Sequence, residues 1–327
     1  MLVSRPMPDL VVYVLAKPAD PGLLPLATPP PGVRLVVGDR VEAFADAPSP
    51  DAVFACGIGR SLLEPLFKAH PGIRWVHCRF AGLDGLLFPE LVSSPTPLTN
   101  GRGSFSRSLG EFAVAGLLYF AKDFPRMRRL QAAREWQSFD VEELHGRTLG
   151  IVGYGDIGRS IAARAKPFGM RILGLRRRAA GPGRDDLADE IWSLDRLREL
   201  MAASDDVAVA LPLTPETRHL VGEAEIRALK PTSVFVNVGR GAVVDEAALV
   251  RALSEGRIKG AALDVFEAEP LPKESPLWGM DNVLLSPHTA DHTRTWLVDA
   301  SQLFLQNLER FRRGEPLMTL VDKRAGY

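Results

Sequence analysis

Short apolar runs rich in Val and Ile alternate with polar, helix-forming stretches along most of the chain. Within the first hundred residues, Gly, Pro or Asp bound these runs, which is typical of buried strands, and we predict strands at 10–15, 33–37, 52–55 and 73–76. A helix is predicted over 61–69, where His70-Pro71-Gly72 ends it. The proline-rich stretch 18–32 is predicted to be a surface loop without a regular element. This alternation predicts a parallel sheet covered by helices on both faces.

A nearly apolar helix is predicted over 108–122. It is followed by an arginine-rich helix whose basic face is predicted to be solvated. A second series of alternating strands and helices begins at Thr148. Its predicted strands are 148–152, 171–175, 207–210, 234–238, 260–263 and 283–285. The tail from 292 to 313 carries an apolar stripe at helical spacing, formed by Trp296, Ala300, Leu303, Phe304, Leu308 and Phe311. We expect this helix to dock on the first domain.

Composition and charge narrow the class of protein. At 327 residues, the chain suits two domains of about 150 residues each. It has 46% hydrophobic and 24% charged residues, and 40 basic and 40 acidic side chains cancel to a net charge of 0. This composition favours a globular protein, and a net charge of 0 predicts no overall attraction to nucleic acid or to an anionic membrane. Without a spanning segment or a signal peptide, we predict a cytoplasmic protein. Cys56 and Cys78 lack metal-spaced partners, so we predict two free thiols and no metal site.

A glycine-rich loop stands between a predicted strand and a predicted helix. Gly153-Tyr154-Gly155-Asp156-Ile157-Gly158 matches G-x-G-x-x-G, and strand, loop, helix and next strand follow in the order of a dinucleotide-binding unit. The first glycine allows the tight turn, the second lets the backbone approach a pyrophosphate, and the third lets helix and strand pack closely. The helix N-terminus then offers free N–H groups to the phosphates.

The end of the next strand carries Arg176, Arg177 and Arg178 where an acid usually holds the adenosine ribose. Guanidinium groups suit the charge and geometry of a 2′-phosphate. We therefore predict NADP(H) as the preferred cofactor, with NAD(H) also accepted. A solvated basic loop is the alternative interpretation.

Three further segments follow predicted strands and carry the residue types needed to reduce an oxoacid. Arg240 lies in Asn237-Val238-Gly239-Arg240-Gly241, the carboxylates lie in the segment from Asp264 to Pro270, and His288 lies in Ser286-Pro287-His288-Thr289-Ala290. An arginine can hold a substrate carboxylate and polarise a carbonyl, and a histidine can supply a proton. A neighbouring carboxylate orients the imidazole and favours its charged form.

With these motifs, the chain resembles the D-isomer-specific 2-hydroxyacid dehydrogenase family from about Trp75 to the C-terminus. The resemblance implies that Arg240 binds substrate, that His288 is the general acid/base with Glu269 as its partner, and that Asp264 meets the nicotinamide carboxamide. The segment from Ala210 to Thr214, with Thr217, resembles the lining of the cofactor groove. The implied cofactor-binding residues are Gly153, Gly155, Asp156, Ile157, Gly158, Arg176, Arg177, Arg178, Leu211, Pro212, Thr217, Val238, Asp264, His288 and Ala290.

The first domain matches the family at Phe80-Ala81-Gly82-Leu83-Asp84, where family members use backbone amides to grip the substrate carboxylate. Ala81 and Gly82 are therefore the predicted substrate-binding amides, and Arg79 could add a further cation. Phe80 stands where the family usually has glycine, which predicts a narrow pocket. Ser108-Leu109-Gly110-Glu111-Phe112 matches the start of the interdomain helix. The basic triplet and the Gly-Tyr ending resemble the glyoxylate and hydroxypyruvate reductase branch.

The expected fold is α/β with two doubly wound parallel-sheet domains. A Rossmann dinucleotide-binding domain (102–290) is inserted in a smaller flavodoxin-like catalytic domain (1–101 and 291–327). The expected activity is NAD(P)H-dependent reduction of a small 2-oxoacid to a D-2-hydroxyacid, by a homodimer as in the family. The alternatives are a dinucleotide-sensing, corepressor-like interaction protein and a dehydrogenase for another small anion such as formate or phosphite.

Overall fold

The computed structural model describes residues 10–57, 59–177 and 185–327. These residues form two compact units. The first contains the described residues up to Phe105 together with Arg294–Tyr327, and the second is Ser106–Thr293.

The first unit is built on a five-stranded parallel sheet in the order β2-β1-β3-β4-β5. Its strands are β1 (Leu10–Leu15), β2 (Val33–Gly38), β3 (Ala52–Ala55), β4 (Trp75–Cys78) and β5 (Leu98–Asn100). Its helices are α1 (Arg60–Ala69), α2 (Pro89–Ser93) and α9 (Trp296–Arg313). This is the strand order of a flavodoxin-like doubly wound fold.

Alternate side chains of each strand in the first unit enter different cores, because successive residues of a strand point to opposite faces. Val11, Tyr13 and Leu15 join a cluster with Leu62, Leu63 and Leu66 of α1. Val12 and Val14 join a second cluster with Phe304 and Leu308 of α9. The C-terminal helix therefore packs on the first sheet, as its apolar stripe predicts.

The second unit is built on a seven-stranded parallel sheet in the order β12-β11-β10-β9-β6-β7-β8. Its strands are β6 (Thr148–Val152), β7 (Arg171–Arg176), β8 (Glu190–Ser193), β9 (Asp206–Val209), β10 (Val234–Asn237), β11 (Gly260–Leu263) and β12 (Val283–Leu285). Its helices are α3 (Ser106–Ala121), α4 (Phe124–Ala133), α5 (Asp156–Ala165), α6 (Leu197–Ala203), α7 (Glu223–Arg227) and α8 (Glu246–Ser254). The strand order reverses at β6, and open α/β sheets bind ligands at the carboxyl ends of strands beside such a reversal.

Three local features depart from the sequence prediction. The stretch 18–32 is not a loop throughout, because Pro21–Leu26 forms a 3-10 helix whose first turn is capped by Asp20, with Gly22 N donating to Asp20 Oδ1 at 2.7 Å. The strands β5 and β8 were not predicted. β5 has three residues and β8 is a partly exposed edge strand, so neither carries a long apolar run. In the described part of the chain, no helix is long and apolar enough to cross a membrane.

Candidate active site

His288 and Glu269 form a hydrogen-bonded pair beyond the carboxyl ends of β11 and β12. The Nδ1 atom of His288 lies 2.7 Å from Glu269 Oε2, and the other carboxylate oxygen accepts the backbone N–H of Phe266 at 3.0 Å. The carboxylate is thus held at both oxygens. Because Nδ1 is taken by Glu269, Nε2 is the ring nitrogen that remains for proton exchange with a substrate.

Asp264 holds the loop that carries His288. Its side chain is 1% exposed. Its Oδ1 accepts Ser286 Oγ at 2.6 Å, Thr289 N at 2.9 Å and Ala290 N at 3.0 Å, while its backbone carbonyl accepts His288 N at 2.9 Å. His288 has a φ of 55°, and a loop wrapped around one buried carboxylate stabilises this uncommon conformation. Contact of Asp264 with a nicotinamide carboxamide remains a prediction.

Arg240 stands in a short turn after β10. Asn237 Oδ1 accepts Gly239 N at 3.1 Å and Asn237 Nδ2 donates to the Arg240 carbonyl at 3.3 Å, so the turn is fixed by the side chain that ends the strand. A Cβ on Gly241 would collide with the carbonyl group of Phe266. The Arg240 turn therefore lies against the segment that leads to Glu269.

The glycine loop lies against the loop after β9, which in turn lies against the Arg240 turn after β10. Gly153 has a φ of +102°, and a Cβ there would lie 2.7 Å from the carbonyl of Ala210. A Cβ on Gly239 would lie 2.6 Å from the carbonyl oxygen of Leu211. By contrast, nothing stands within 4 Å of a Cβ built on Gly155, so the backbone is open on that side. These close approaches link the glycine loop, the Leu211 loop and the Arg240 turn in one row along the sheet edge.

The remaining predicted cofactor residues of the second unit lie on the same row. Asp156 begins α5, and its carboxylate is hydrogen-bonded to Ser106 Oγ on α3. Thr217 Oγ1 donates to the Pro212 carbonyl at 2.6 Å and fixes the turn after Leu211. Val238 is buried, and its N–H donates to Val209 at 3.0 Å. Ile157 and Gly158 are in the first turn of α5.

The basic triplet is described in part. Arg176 ends β7 and has a buried Nε without a hydrogen-bond partner among the described residues. Arg177 is exposed, and a hydrogen bond from Thr214 together with the charge of Arg177 lowers the pKa of Glu216. Arg178 lies outside the described residues.

The predicted carboxylate-binding loop belongs to the first unit. In the part of the chain that the structure describes, the N–H groups of Ala81 and Gly82 have no hydrogen-bond partner, while the Ala81 carbonyl accepts Asn100 Nδ2 at 2.7 Å. Phe80 packs in a cluster of three rings, 6.1 Å from Trp296 and 6.4 Å from Phe105 between ring centroids.

The expectation that Arg79 adds a cation to this loop is wrong. Arg79 is buried and makes two hydrogen bonds to the Asp20 carboxylate, at 3.0 and 2.7 Å, and one to the Cys56 carbonyl. Its charge is neutralised inside the unit by an acid 59 positions earlier in the chain, a pairing that local sequence does not reveal.

Two hydroxyl groups that support the site were not predicted as functional. Ser286 donates to Asp264, and Ser108 Oγ on α3 donates to the Ala290 carbonyl at 2.5 Å. Ser286 could have been found, because it stands in the same short motif as His288. Ser108 is 182 positions from its partner, and no local pattern links them.

Both cysteines are free and buried. Their side chains belong to cores on opposite faces of the first sheet. Among the described residues, no group of three or more His, Cys, Asp or Glu side chains could hold a metal ion.

Comparisons with known proteins identify the family. The model of the D-isomer specific 2-hydroxyacid dehydrogenase NAD binding domain matches residues 114–290. A glyoxylate reductase of Korarchaeum cryptofilum is 38% identical over 267 residues, 79% of each chain. A glyoxylate reductase of Aeropyrum pernix is 34% identical over 99% of this chain and 96% of its own length.

Solved structures agree with the sequence comparisons. A D-isomer specific 2-hydroxyacid dehydrogenase from Xanthobacter autotrophicus Py2, in complex with NADPH and MES, has a TM-score of 0.82 and 30% identity, covering 98% of this chain and all of its own. An NADPH-dependent glyoxylate/hydroxypyruvate reductase from Sinorhizobium meliloti, in complex with NADP and sulfate, has a TM-score of 0.82 and 25% identity, with the same coverage. The chain therefore belongs to the D-isomer specific 2-hydroxyacid dehydrogenase family.

Proposed function

We propose that this protein reduces a small 2-oxoacid of the glyoxylate or hydroxypyruvate type to the D-2-hydroxyacid, with NADPH as the preferred reductant. The observation that carries the proposal is the His288–Glu269 hydrogen bond of 2.7 Å, on a segment that lies against the Arg240 turn. A proton donor, its carboxylate partner and a substrate-binding cation are the groups that carbonyl reduction needs beside a nicotinamide. The names of the glyoxylate reductase relatives support the substrate class.

The roles of the side chains follow from the chemistry. The nicotinamide cofactor, when bound, supplies the hydride that adds to the carbonyl carbon. The open side of Gly155 and the N-terminus of α5 suit its pyrophosphate. Arg240 binds the substrate carboxylate and polarises the carbonyl. Protonated His288 gives a proton from Nε2 to the carbonyl oxygen, while Glu269 holds Nδ1 and stabilises the imidazolium.

In the proposed mechanism, the first unit serves as the substrate domain. The amides of Ala81 and Gly82, which have no partner among the described residues, suit a carboxylate acceptor, because backbone N–H groups form strong hydrogen bonds to anions. Phe80 stands directly before these amides and is held by Phe105 and Trp296. A ring fixed at this point favours small substrates over phenylpyruvate.

The proposed preference for NADPH rests on Arg176 and Arg177 at the end of β7, together with the NADPH and NADP complexes of the related structures. Replacing both arginines by Ala should weaken NADPH binding far more than NADH binding, because only NADPH carries a 2′-phosphate. Dissociation constants for both cofactors, measured by fluorescence titration, check this expectation. Equal losses for the two cofactors would contradict it.

We also propose a homodimer that forms through the second unit. Four apolar side chains are exposed on α4 and on the segment that joins it to β6: Phe124, Met127, Trp136 and Val141. Trp136 has a relative exposure of 102%, so it touches almost nothing of its own chain. Exposed apolar patches of this kind mark interfaces, and tryptophan is enriched in them. A second copy of this chain is the proposed occupant.

We further propose that the protein is cytoplasmic and that it has no nucleic-acid partner. Two free, buried thiols agree with a reducing compartment, and a net charge of 0 offers no attraction to a polyanion.

A screen of NADPH oxidation with glyoxylate, hydroxypyruvate, pyruvate and phenylpyruvate tests the substrate class. The expected order of kcat/KM places glyoxylate or hydroxypyruvate first. If phenylpyruvate were the best substrate, the inferred effect of Phe80 would be wrong. NADPH binding without turnover of any 2-oxoacid would contradict the proposed reaction and favour a dinucleotide-sensing interaction protein.

A further inference from the structure

Arg79 joins strand β4 to the loop whose amides are proposed to bind the substrate carboxylate. Its backbone N–H donates to the Ala55 carbonyl at 2.9 Å, at the end of β3. Its side chain is 3% exposed, and its two terminal nitrogens donate to the Asp20 carboxylate at 3.0 and 2.7 Å. The nitrogen Nη2 also donates to the Cys56 carbonyl at 2.7 Å. The backbone and the side chain of Arg79 are therefore both held inside the first unit.

Asp20 connects this arginine to the helices that cover one face of the first sheet. Its carboxylate also accepts the N–H of Gly22 at 2.7 Å and so caps the 3-10 helix Pro21–Leu26. A Cβ on Gly22 would lie 2.5 Å from Nη1 of Arg79 and 3.0 Å from Cβ of Leu297, in the first turn of α9. The ion pair thus lies among the 3-10 helix, the start of α9 and the ends of β3 and β4, and the Asp20 side chain is 13% exposed.

The contacts of Arg79 extend to Phe80. The guanidinium carbon of Arg79 lies 5.4 Å from the centroid of the Phe80 ring, and a Cβ on Gly57 would lie 2.9 Å from Cε2 of the same ring. On the other side, a Cβ on Gly101 would lie 2.0 Å from the Arg79 carbonyl oxygen, so the two backbones pack closely. A movement of Arg79 would therefore be passed directly to Phe80 and to the peptide group that follows it.

The directions of the two proposed substrate amides are set by the peptide groups of this loop. The Phe80 carbonyl accepts the N–H of Gly101 at 3.0 Å, and the Ala81 carbonyl accepts Asn100 Nδ2 at 2.7 Å. Both peptide bonds are trans, and a planar trans peptide directs its N–H opposite to its C=O. The N–H groups of Ala81 and Gly82 therefore point away from the groups that bind these carbonyls, and this orientation depends on the position of the chain before Phe80.

The charge of Arg79 makes the pairing with Asp20 necessary for this geometry. An arginine keeps its charge inside a protein, and a buried charge needs a partner. Among the described residues, Asp20 is the acid that forms an ion pair with Arg79. Without that carboxylate, the guanidinium would move toward water or another acceptor, because an unpaired buried charge is strongly unfavourable. The backbone of the loop would move with it.

We infer that Asp20 and Arg79 form a positioning pair for oxoacid binding, because their ion pair fixes the chain before Phe80 and so presets the amides of Ala81 and Gly82 for the substrate carboxylate. Neither charged side chain needs to touch the substrate. The inference rests on the proposed function, since it takes these two amides as the carboxylate site.

The experiment measures kcat and KM for glyoxylate and hydroxypyruvate at saturating NADPH, and the binding of oxalate to the NADPH-loaded protein by calorimetry. Oxalate is an unreactive carboxylate with the carbon skeleton of glyoxylate, so it reports carboxylate binding without turnover. Asp20→Asn keeps an acceptor for the helix cap and removes the charge. Arg79→Lys keeps the charge and loses the fork that binds both oxygens of Asp20. A double variant, Asp20→Asn with Arg79→Met, removes both charges.

Asp206→Asn is the matched control, because it breaks a buried arginine–aspartate pair elsewhere. Asp206 is 1% exposed and binds Arg147 through both carboxylate oxygens, at 2.9 and 2.8 Å. This pair lies at the amino end of β9 in the second unit, whereas the loops of the candidate site follow the carboxyl ends of the strands. The NADPH dissociation constant, from fluorescence titration, and the thermal unfolding temperature are measured for every variant.

We expect Asp20→Asn to raise KM for both oxoacids and the oxalate dissociation constant roughly tenfold, which is the scale of one charge-assisted hydrogen bond. The NADPH dissociation constant and kcat should stay near their wild-type values, since the glycine loop, Glu269 and His288 belong to the second unit. Arg79→Lys should have an intermediate effect. Asp206→Asn should lower the unfolding temperature and leave KM and oxalate binding unchanged.

The double variant separates positioning from stability. Its unfolding temperature should recover relative to Asp20→Asn, because no buried charge is left unpaired, while KM and the oxalate dissociation constant should stay raised, because the tie is still missing. A pair with a merely structural role would instead move KM and stability together. If Asp20→Asn does not fold, Arg79→Lys and the double variant decide by the same criteria.

Three results would overturn the inference: unchanged KM and oxalate binding in both single variants, a matching loss in Asp206→Asn, or recovery of KM together with stability in the double variant. Failure of the proposed reaction is distinguishable. A wild type that turns over no oxoacid, but loses oxalate affinity on Asp20→Asn, would contradict the reaction and support the positioning pair. A wild type with neither turnover nor oxalate binding would overturn both.

Discussion

His288 has one ring nitrogen available for chemistry because Glu269 holds the other. The segment from Asp264 to Pro270, which supplies Glu269, also supplies Glu267, whose Oε1 pairs with His219 Nε2 at 2.6 Å. Two neighbouring carboxylates thus have two different histidine partners. A substitution of Glu267 is therefore a control for a substitution of Glu269, because it removes a neighbouring carboxylate that does not pair with His288.

Glu269→Gln should lower kcat for reduction about tenfold or more, because the variant loses the charge-assisted hydrogen bond that holds Nδ1 of His288 at 2.7 Å. The NADPH dissociation constant should change little, since Glu269 acts on the histidine. Measurements of kcat and of cofactor binding check the two halves of this expectation. Glu267→Gln, whose partner is His219, is the control and should keep both values. An unchanged kcat in Glu269→Gln would show that Glu269 does not act on His288.

His288→Ala should lose most of the turnover while it still binds cofactor. General acid catalysis is typically worth about 10²–10⁴-fold in rate, and the described residues of these motifs offer no second proton donor at this position. The kcat of the variant and its NADPH dissociation constant check the two halves of the expectation. Turnover near the wild-type value would mean that another group delivers the proton.

At the residue scale, short motifs predicted which loops lie together at the sheet edge better than they predicted the supporting contacts. Arg240, Glu269 and His288 follow strands in short segments of distinctive composition, and the structure brings their loops together at one sheet edge. Arg79 was misjudged because its partner Asp20 is remote in sequence. Ser108 was missed for the same reason, since hydrogen bonds across a fold leave no local pattern.

At the element scale, β4 carries a histidine where a strand core is otherwise apolar. His77 is fully buried among Phe54, Trp75 and Phe304. Trp75 Nε1 donates to Thr99 Oγ1 at 2.9 Å, which leaves the hydroxyl hydrogen free for His77 Nδ1 at 2.7 Å. Burial lowers the pKa of His77 to about 3. The ring is therefore neutral in the folded protein at all ordinary pH values.

This burial makes the stability of the protein depend on pH. Between the unfolded pKa of about 6.5 and the folded pKa of about 3, the unfolded state binds a proton that the folded state does not, so the free energy of unfolding falls as pH falls through that window. Between pH 7.5 and pH 5, His77 should account for about 2 kcal/mol of the loss. Denaturant unfolding of the wild type and of His77→Phe checks this, because other titrating groups cancel in the difference. Parallel curves for the two proteins would contradict the assignment.

Strand prediction succeeded where apolar runs were long and failed where they were short. β1, β3, β6, β11 and β12 have the bounds that the sequence predicts, because each is a run of buried or partly buried apolar residues ended by polar or turn residues. β5 has only three residues, and β8 reads Glu-Ile-Trp-Ser at a partly exposed edge. Their pairing with β4 and β7 defines them as strands, and pairing is a property of the assembled sheet.

At the scale of the whole molecule, the chain completes the first sheet, builds the second unit from Ser106 to Thr293, and returns to the first sheet with α9. Alternation of strands and helices predicted both sheets. The order of the strands in each sheet depends on crossovers that the local sequence does not encode, and the resemblance to a known family supplied that part of the prediction. Contacts within one chain do not explain why the apolar side chains of Phe124, Met127, Trp136 and Val141 are exposed.

Trp136→Ser should weaken self-association. A tryptophan that is fully exposed in one chain and buried against a second copy is expected to contribute about 2 kcal/mol or more, which corresponds to roughly a thirtyfold rise in the dimer dissociation constant. Light scattering over a concentration series checks this, with the wild type at about twice the chain mass of 35.7 kDa. Trp278→Ser, which removes another exposed tryptophan of the same unit, is the control. A monomeric wild type, or equal effects of the two changes, would contradict the proposed interface.

The central claim, that the row of loops around Arg240, Glu269 and His288 reduces a small 2-oxoacid with NADPH, is tested most directly by product analysis. Hydroxypyruvate and NADPH are incubated with the wild-type protein, and the consumption of NADPH is compared with the amount and configuration of the glycerate formed. The account predicts one D-glycerate for each NADPH oxidised. No NADPH consumption, or formation of L-glycerate, would contradict it.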